Sequence, residues 1–85
     1  MNTAERMNTM NQLLQQLKPE FLEITDESHH HIGHEGSKSG KGHFRITIKA
    51  NILNQLNRIE QHRLIYKALG SLMQTDIHAL TIHIQ

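Results

Sequence analysis

The spacing of hydrophobic residues changes along this chain, and each change predicts a new element. Apolar side chains three or four residues apart predict a helix over about residues 4–18, ending before the single proline. Apolar and polar residues alternate over 22–25 and again over 44–49, which is typical of two half-buried strands. Helical spacing returns over about 51–74, as two helices or one kinked helix, and alternation resumes over 80–84. The predicted order is therefore α-β-β-α-α-β.

Three strands cannot bury both faces of a sheet, so we expect the helices to cover one face. This predicts an α+β sandwich with a three-stranded mixed sheet, in which the last strand runs parallel to the second after a helical crossover. The chain of 85 residues forms a single domain, 1–85, with a thin core and no enclosed active-site cavity. The predicted buried stripe of the second helical region is Ile59, His62, Tyr66, Leu69 and Met73, with Ile65 and Leu72 beside it.

A histidine- and glycine-rich segment separates the first two predicted strands. Residues 28–44 hold five of the eight histidines and four of the five glycines. Between residues 33 and 42 there is no large apolar side chain, so burial cannot order this stretch, and residues 28–43 are expected to form a mobile surface loop. Imidazole binds borderline metals and titrates near physiological pH, so the loop suggests metal or proton chemistry. A solvated polar loop and adventitious zinc or nickel binding are the alternatives.

Charge and composition narrow the function classes. The net charge is only +1, whereas a dedicated nucleic-acid binder usually has a large excess of lysine and arginine. No cysteine is present, so any thiolate ligand must come from a partner. No arrangement of nucleophile, base and orienting group is apparent, so we expect a protein that is not an enzyme. Without a secretory h-region or a long apolar run, the chain is expected to be cytoplasmic and to make no membrane contact.

Several segments together resemble the BolA family. They are FLEITDES at 21–28, the histidine loop, HFRITI at 43–48, HRLIYKAL at 62–69 and IHALTIHI at 77–84, and the resemblance covers a core of about 13–84. It implies a fold similar to class II KH domains and a monothiol glutaredoxin as partner, with which a 2Fe-2S cluster is shared. The implied function is an adaptor in iron-sulfur cluster trafficking or iron and redox regulation, monomeric in isolation.

The resemblance also implies the cluster ligands. One is a histidine in the segment matching 77–80, which is His78, and the other lies in the loop, where His31 is the first choice and His34 the alternative. Glutaredoxin and glutathione supply the other ligands, and the isolated chain binds no cluster tightly. From the residues alone, His78 shares the parity of the apolar residues in its strand, which favours a packed core histidine over a ligand. Its place at the start of the strand leaves open a position at the rim, within reach of the loop. Because imidazole ligates in its neutral form, binding is expected to weaken below about pH 6.

The remaining histidines outside the loop are interpreted as structural or exposed. The parity of His43 places it on the polar face of the second strand, His62 packs in its helix, and His83 faces outward.

The alternative function is a KH-like nucleic-acid-binding regulator of transcription, in a stress or morphology response, with DNA as partner. The candidate phosphate contacts are Arg58, Arg63, Lys67, Lys38 and Lys41. The sequence departs from the family pattern at Leu53, at Gln55, where a glycine is usual, and at Gln61, where an arginine is usual. These departures imply a more regular helical turn and one positive charge fewer on that surface.

Overall fold

A computed structural model describes residues 2–28 and 41–85 of the chain. Its elements are α1 (Thr3–Leu14), a single 3₁₀ turn (Gln15–Leu17), β1 (Phe21–Asp26), β2 (Gly42–Lys49), α2 (Asn51–Asn54), α3 (Arg58–Leu69), α4 (Leu72–Thr75) and β3 (Ile77–Ile84). Most of the predicted loop, with His31, His34 and Lys38, lies outside the described residues, so its mobility stays a prediction. The second helical region consists of one long helix flanked by two single-turn helices.

The three strands form one mixed sheet in the order β1-β2-β3. β1 pairs antiparallel with β2, and β2 pairs parallel with β3, as the crossover argument predicted. The parallel pairing requires the long connection that α2, α3 and α4 provide. The predicted α+β class and three-stranded mixed sheet are therefore confirmed.

The core lies between one face of the sheet and the helices. On β2, Phe44, Ile46 and Ile48 are buried, whereas Arg45 and Lys49 on the opposite face are exposed. The buried helical residues that complete this core are Met10, Leu14, Leu17, Leu53, Ile65, Leu69 and Leu72. Helices therefore cover a single face, and the polar face of β2 remains open to solvent.

The buried face of α3 differs from the predicted one, so that prediction was wrong for several residues. Ile65 and Leu69 are buried, but Ile59 is 64% exposed and Tyr66 is 40% exposed. Apolar residues occupy a wide arc of this helix, and only a narrow stripe of it can face a sheet of three strands. The residues on one side of the arc remain in contact with solvent.

Candidate metal centre

Three strand ends meet at one edge of the sheet. Because β1 is antiparallel to β2 and β2 is parallel to β3, the end of β1 lies beside the beginnings of the other two strands. The backbone N–H of His43 donates to Ser28 Oγ at 3.0 Å, and the N–H of Gly42 donates to the carbonyl of Asp76 at 2.8 Å. Ser28, just after β1, is thus held beside the start of β2, and Gly42 is held beside the residue that precedes β3.

Gly42 allows β2 to begin close against the core. A Cβ atom at this position would lie 2.5 Å from a ring carbon of Phe44, which is 1% exposed and cannot easily move. Only glycine fits here without displacing the phenylalanine. The close approach brings His43, the next residue, to the same edge as the first residues of β3.

A register irregularity places His78 at the rim of this edge. Gly42 pairs with Ile77 and His43 pairs with Ala79, so His78 is the extra residue on β3. Such a bulge changes the direction in which a side chain points. His78 is exposed, whereas the apolar residues of the same parity, Leu80 and Ile82, are partly buried. Of the two readings left open by the sequence, the structure supports the exposed rim position rather than a packed core histidine.

His43 lies directly beside His78. The two imidazole ring centroids are 4.9 Å apart, and the ring planes are inclined at 49°. His43 is only 7% exposed, so it is buried although its parity along β2 is that of the exposed Arg45 and Lys49. Strand alternation cannot show this contact, because it depends on the bulge in the neighbouring strand. The structure therefore adds His43 to the candidate ligands.

The segment before His78 is fixed to α1 by an ion pair. Arg6 Nε donates to Asp76 Oδ2 at 2.9 Å, and the two side chains are 16% and 14% exposed. Hydrogen bonds from the Thr75 hydroxyl and from Arg6 hold the pKa of Asp76 below its ordinary value of 3.8. Through its carbonyl, Asp76 also accepts the bond from Gly42. One residue thus joins α1, the start of β2 and the start of β3.

Imidazole is a ligand type that borderline metal ions accept. The 4.9 Å between the two ring centroids is also the distance of an ordinary contact between rings, so the type of side chain, rather than the spacing, makes this pair a candidate. Within residues 2–28 and 41–85, no group of three histidine or carboxylate side chains is close enough to hold an ion. Further ligands would therefore have to come from the histidine loop or from a partner.

The other candidate residues lie in separate places. Arg58 and His62 line a hollow of about 270 Å³ between α3 and β3, together with His83. Lys67 lines a different hollow on the side of α3 that faces α1, and Lys41 lies at the loop edge. Among the predicted basic contacts that the structure describes, Arg58 and Lys67 therefore line different hollows. His83 is exposed as predicted, and His62 is half-buried, with its ring nearly perpendicular to that of Tyr66.

No helix within the described ranges has the length and apolar composition needed to cross a membrane.

Comparison with known proteins identifies the family. A family model described as BolA-like protein matches residues 13–85. Protein BOLA1, chloroplastic, of Arabidopsis thaliana is 36% identical over 84 residues, which covers 95% of this chain and 51% of that protein. The DNA-binding transcriptional regulator BolA of Escherichia coli is 35% identical over 66 residues, covering 78% of this chain and 60% of that protein. The chain thus spans between about half and two thirds of the length of these relatives.

Solved structures agree with this assignment. The structure of BolA1 from Arabidopsis thaliana superimposes with a TM-score of 0.76 at 35% identity, covering 100% of this chain and 92% of that one. The BolA domain of SufE1 from the same organism gives a TM-score of 0.79 at 29% identity, covering 100% and 94%. Sequence and fold together show that this chain belongs to the BolA family.

Proposed function

We propose that this protein is an adaptor that binds a monothiol glutaredoxin and shares a 2Fe-2S cluster with it through histidine ligands. Its task is iron-sulfur cluster trafficking or iron and redox regulation. The observation that carries the proposal is the contact between exposed His78 and buried His43, at the edge of the sheet where the histidine loop begins and ends. The family assignment and the absence of cysteine support it.

The two imidazoles have different roles in this proposal. His78 is accessible to a partner and donates a ring nitrogen at the rim, while His43 lies behind it, nearly removed from water. The bonds from Gly42 to Asp76 and from His43 to Ser28 fix the backbone on both sides of the pair. The protein therefore presents its imidazole nitrogens on a rigid edge of the sheet. A rigid support holds ligands in the geometry that a cluster shared with a partner requires.

The sulfur ligands come from the partner. This chain has no cysteine, so glutaredoxin and glutathione supply the thiolates. Histidine ligation at one iron of a 2Fe-2S cluster raises its reduction potential above that of an all-thiolate cluster. We propose that this difference distinguishes the mixed complex from a cluster held by glutaredoxin and glutathione alone.

The second ligand has three candidates. His31 is the first choice from the family resemblance, and His34 is its alternative within the loop; both lie outside the described residues. His43 is favoured by its contact with His78.

Titration with a cluster-loaded monothiol glutaredoxin tests the function. Visible circular dichroism should show a new cluster spectrum at a one-to-one ratio, and His78→Ala should abolish it. His83→Ala is the matched control, because His83 is also exposed on β3 but lies near its other end. A normal mixed spectrum from His78→Ala, or an equal loss from His83→Ala, would contradict the assignment.

A nucleic-acid-binding regulator is the second candidate function. Relatives from Escherichia coli and Vibrio cholerae are named DNA-binding transcriptional regulators. Arg58, Arg63 and Lys67 are exposed on α3 and could contact phosphates. We rank this function second, because Arg58 and Lys67 line hollows on different sides of the helix.

A further inference from the structure

An apolar groove with a basic rim lies at the end of the sheet opposite the histidine pair. Two adjoining hollows of about 460 and 300 Å³ share Gln16, Leu17 and Ile52 in their walls. The 3₁₀ turn after α1 forms one wall, α2 forms the second, and α3 forms the third. We refer to these hollows together as the α1–α3 groove.

The floor of the groove is hydrophobic and partly open. Leu17 is 6% exposed at its base, and Leu64 of α3 is partly buried beside it. Ile52, on the single turn of α2, is 46% exposed and faces both hollows. Ligand sites are commonly concave and lined by apolar side chains, and Ile52 with Leu17 and Leu64 gives this groove that character.

The rim of the groove is positively charged. Lys18 lies on one side and Lys67 on the other. No carboxylate among the described residues lines either hollow. The ion pairs found in residues 2–28 and 41–85 are Arg6 with Asp76 and Lys49 with Glu20, so neither rim lysine is neutralised within that part of the chain. The electrostatic complement of this surface is an anionic ligand.

The groove is already formed in the absence of a ligand. Gln16 Nε2 donates to the carbonyl of Ala68 at 3.4 Å and joins the end of α1 to α3. Lys18 has φ 53° and ψ 56°, a left-handed conformation that costs a lysine more than a glycine. It also precedes Pro19, a position that favours extended backbone. Glycine would adopt this conformation with less strain. Lysine at this position instead places a cationic side chain at the rim of the groove.

The location of the groove separates it from the histidine pair. Lys18 comes just before β1, and Ile52 comes just after β2, whereas His43 and His78 lie at the first residues of β2 and β3. The seven residue steps along β2 from Gly42 to Lys49 correspond to roughly 23 Å at about 3.3 Å each. A ligand in the groove can therefore be bound while a partner occupies the histidine edge.

We propose that the α1–α3 groove binds an acidic peptide segment of a partner protein, with an apolar side chain on Ile52 and flanking carboxylates paired with Lys18 and Lys67. The apolar floor supplies affinity, and the two lysines select a negatively charged peptide and fix its position along the groove. This site goes beyond the proposed cluster function and does not require it. It would allow the protein to hold a client at one end and a glutaredoxin at the other.

A designed peptide provides the test. The probe is a short amidated peptide with two leucines three residues apart, surrounded by glutamates. One control peptide has lysine in place of glutamate, and another has serine in place of leucine. Titration into ¹⁵N-labelled protein should move the amide signals of Leu17, Ile52 and Ala68, and only the acidic, leucine-containing peptide should do so. Affinity should fall as salt is raised, because the lysines are exposed.

Substitutions locate the binding site. Ile52→Glu should weaken peptide binding by about tenfold or more, since it removes apolar contact and adds a like charge. Ile59→Glu is the matched control, because Ile59 is 64% exposed and lines neither hollow. Lys18→Glu with Lys67→Glu should have a similar effect, and Arg63→Glu should have little. Because all of these residues are exposed, the substitutions should leave the fold intact. Far-ultraviolet circular dichroism checks this.

Four results would overturn the proposal. The first three are equal binding of the lysine peptide, an equal loss of binding from Ile59→Glu, and equal movement of the same signals by a single-stranded oligonucleotide. Concentration-dependent self-association that Ile52→Glu abolishes would identify a second copy of this chain as the occupant and would also overturn it. The His43→Ala/His78→Ala variant should still bind the peptide, so failure of the cluster function and failure of this site can be distinguished.

Discussion

Asp76 joins three parts of the chain through one side chain and one carbonyl. Its carboxylate accepts from Arg6 of α1 and from Thr75, and its carbonyl accepts from Gly42 at the start of β2. The pKa of this carboxyl is lowered in the folded protein, so the ionised form is favoured by folding. The resulting stabilisation is complete above the ordinary pKa of 3.8 and is lost as the pH falls through the lower folded value.

Asp76→Asn should therefore destabilise the protein in a pH-dependent way. We expect the free energy of unfolding to fall by about 1–2 kcal/mol at pH 7, because a partly buried charged hydrogen bond is removed. Below pH 3.8 the free energies of unfolding of the variant and the unsubstituted protein should differ by less. Urea unfolding at several pH values measures this. Lys49→Met is the control, since the pair between Lys49 and Glu20 spans 3.7 Å and its side chains are 50% and 52% exposed. A pH-independent loss from Asp76→Asn would show that packing, rather than charge, is responsible.

The choice of the second ligand is also decided by single residues. Because His43 contacts His78, we expect His43→Gln to lower the affinity of the mixed cluster complex by about tenfold. A decrease of this size is typical when a residue that orients a metal ligand is replaced. Visible circular dichroism during titration with cluster-loaded glutaredoxin measures the effect. Glutamine keeps the volume of the buried side chain near that of histidine, so the fold should survive, and far-ultraviolet circular dichroism checks this.

The loop histidines complete this comparison. If His43→Gln has no effect and His31→Ala weakens the complex, the second ligand lies in the loop, as the family resemblance implies. A larger loss from His34→Ala than from His31→Ala would identify the alternative loop position. If none of these substitutions, nor His78→Ala, alters the spectrum, these histidines do not hold a cluster.

At the scale of elements, α3 begins at a well-defined cap. The N–H of Glu60 donates to Asn57 Oδ1 at 2.9 Å, and the N–H of Asn57 donates to Glu60 Oε1 at 3.1 Å. This capping box satisfies two backbone donors that would otherwise have no helical partner. At the other end the helix stops at Gly70, whose φ of 59° is unfavourable for residues with a Cβ.

Asn57→Ala should lower the free energy of unfolding by about 1 kcal/mol, because the first turn of α3 loses its cap. Thermal or urea unfolding measures the change. Asn54→Ala provides the comparison, since Asn54 is exposed at the end of α2 and should change stability by less than about 0.5 kcal/mol. Equal effects of the two substitutions would mean that the cap contributes nothing specific.

The sequence predicts elements better than it predicts the site they form. The alternation of Phe44, Ile46 and Ile48 with polar residues requires a half-buried strand, and β2 is found there. The contact of His43 with His78 depends on a bulge between neighbouring strands, which a pattern within one strand does not encode. For the same reason, the buried position of His43 was not predicted, and the rim position of His78 was only one of the two positions that its sequence left open.

The whole molecule presents two ends of different character. The histidine edge carries the loop and the imidazole pair, and the opposite end carries the α1–α3 groove with its lysines. Exposed basic residues are divided between surfaces, since Arg58 faces β3 and Lys67 faces α1. The net charge of only +1 and this division of Arg58 and Lys67 favour few phosphate contacts at any one surface of residues 2–28 and 41–85.

DNA binding should consequently be weak and only moderately sensitive to salt. Log affinity falls with log salt concentration by about 0.9 for each phosphate neutralised on duplex DNA. Arg63 and Lys67, one helical turn apart, could reach the same backbone, so we expect a slope of about −2. Fluorescence anisotropy with a labelled duplex at several salt concentrations measures it, and Arg63→Glu with Lys67→Glu should reduce the slope toward zero. Tight binding with a slope steeper than about −5, together with no binding to glutaredoxin, would reverse the ranking of the two functions.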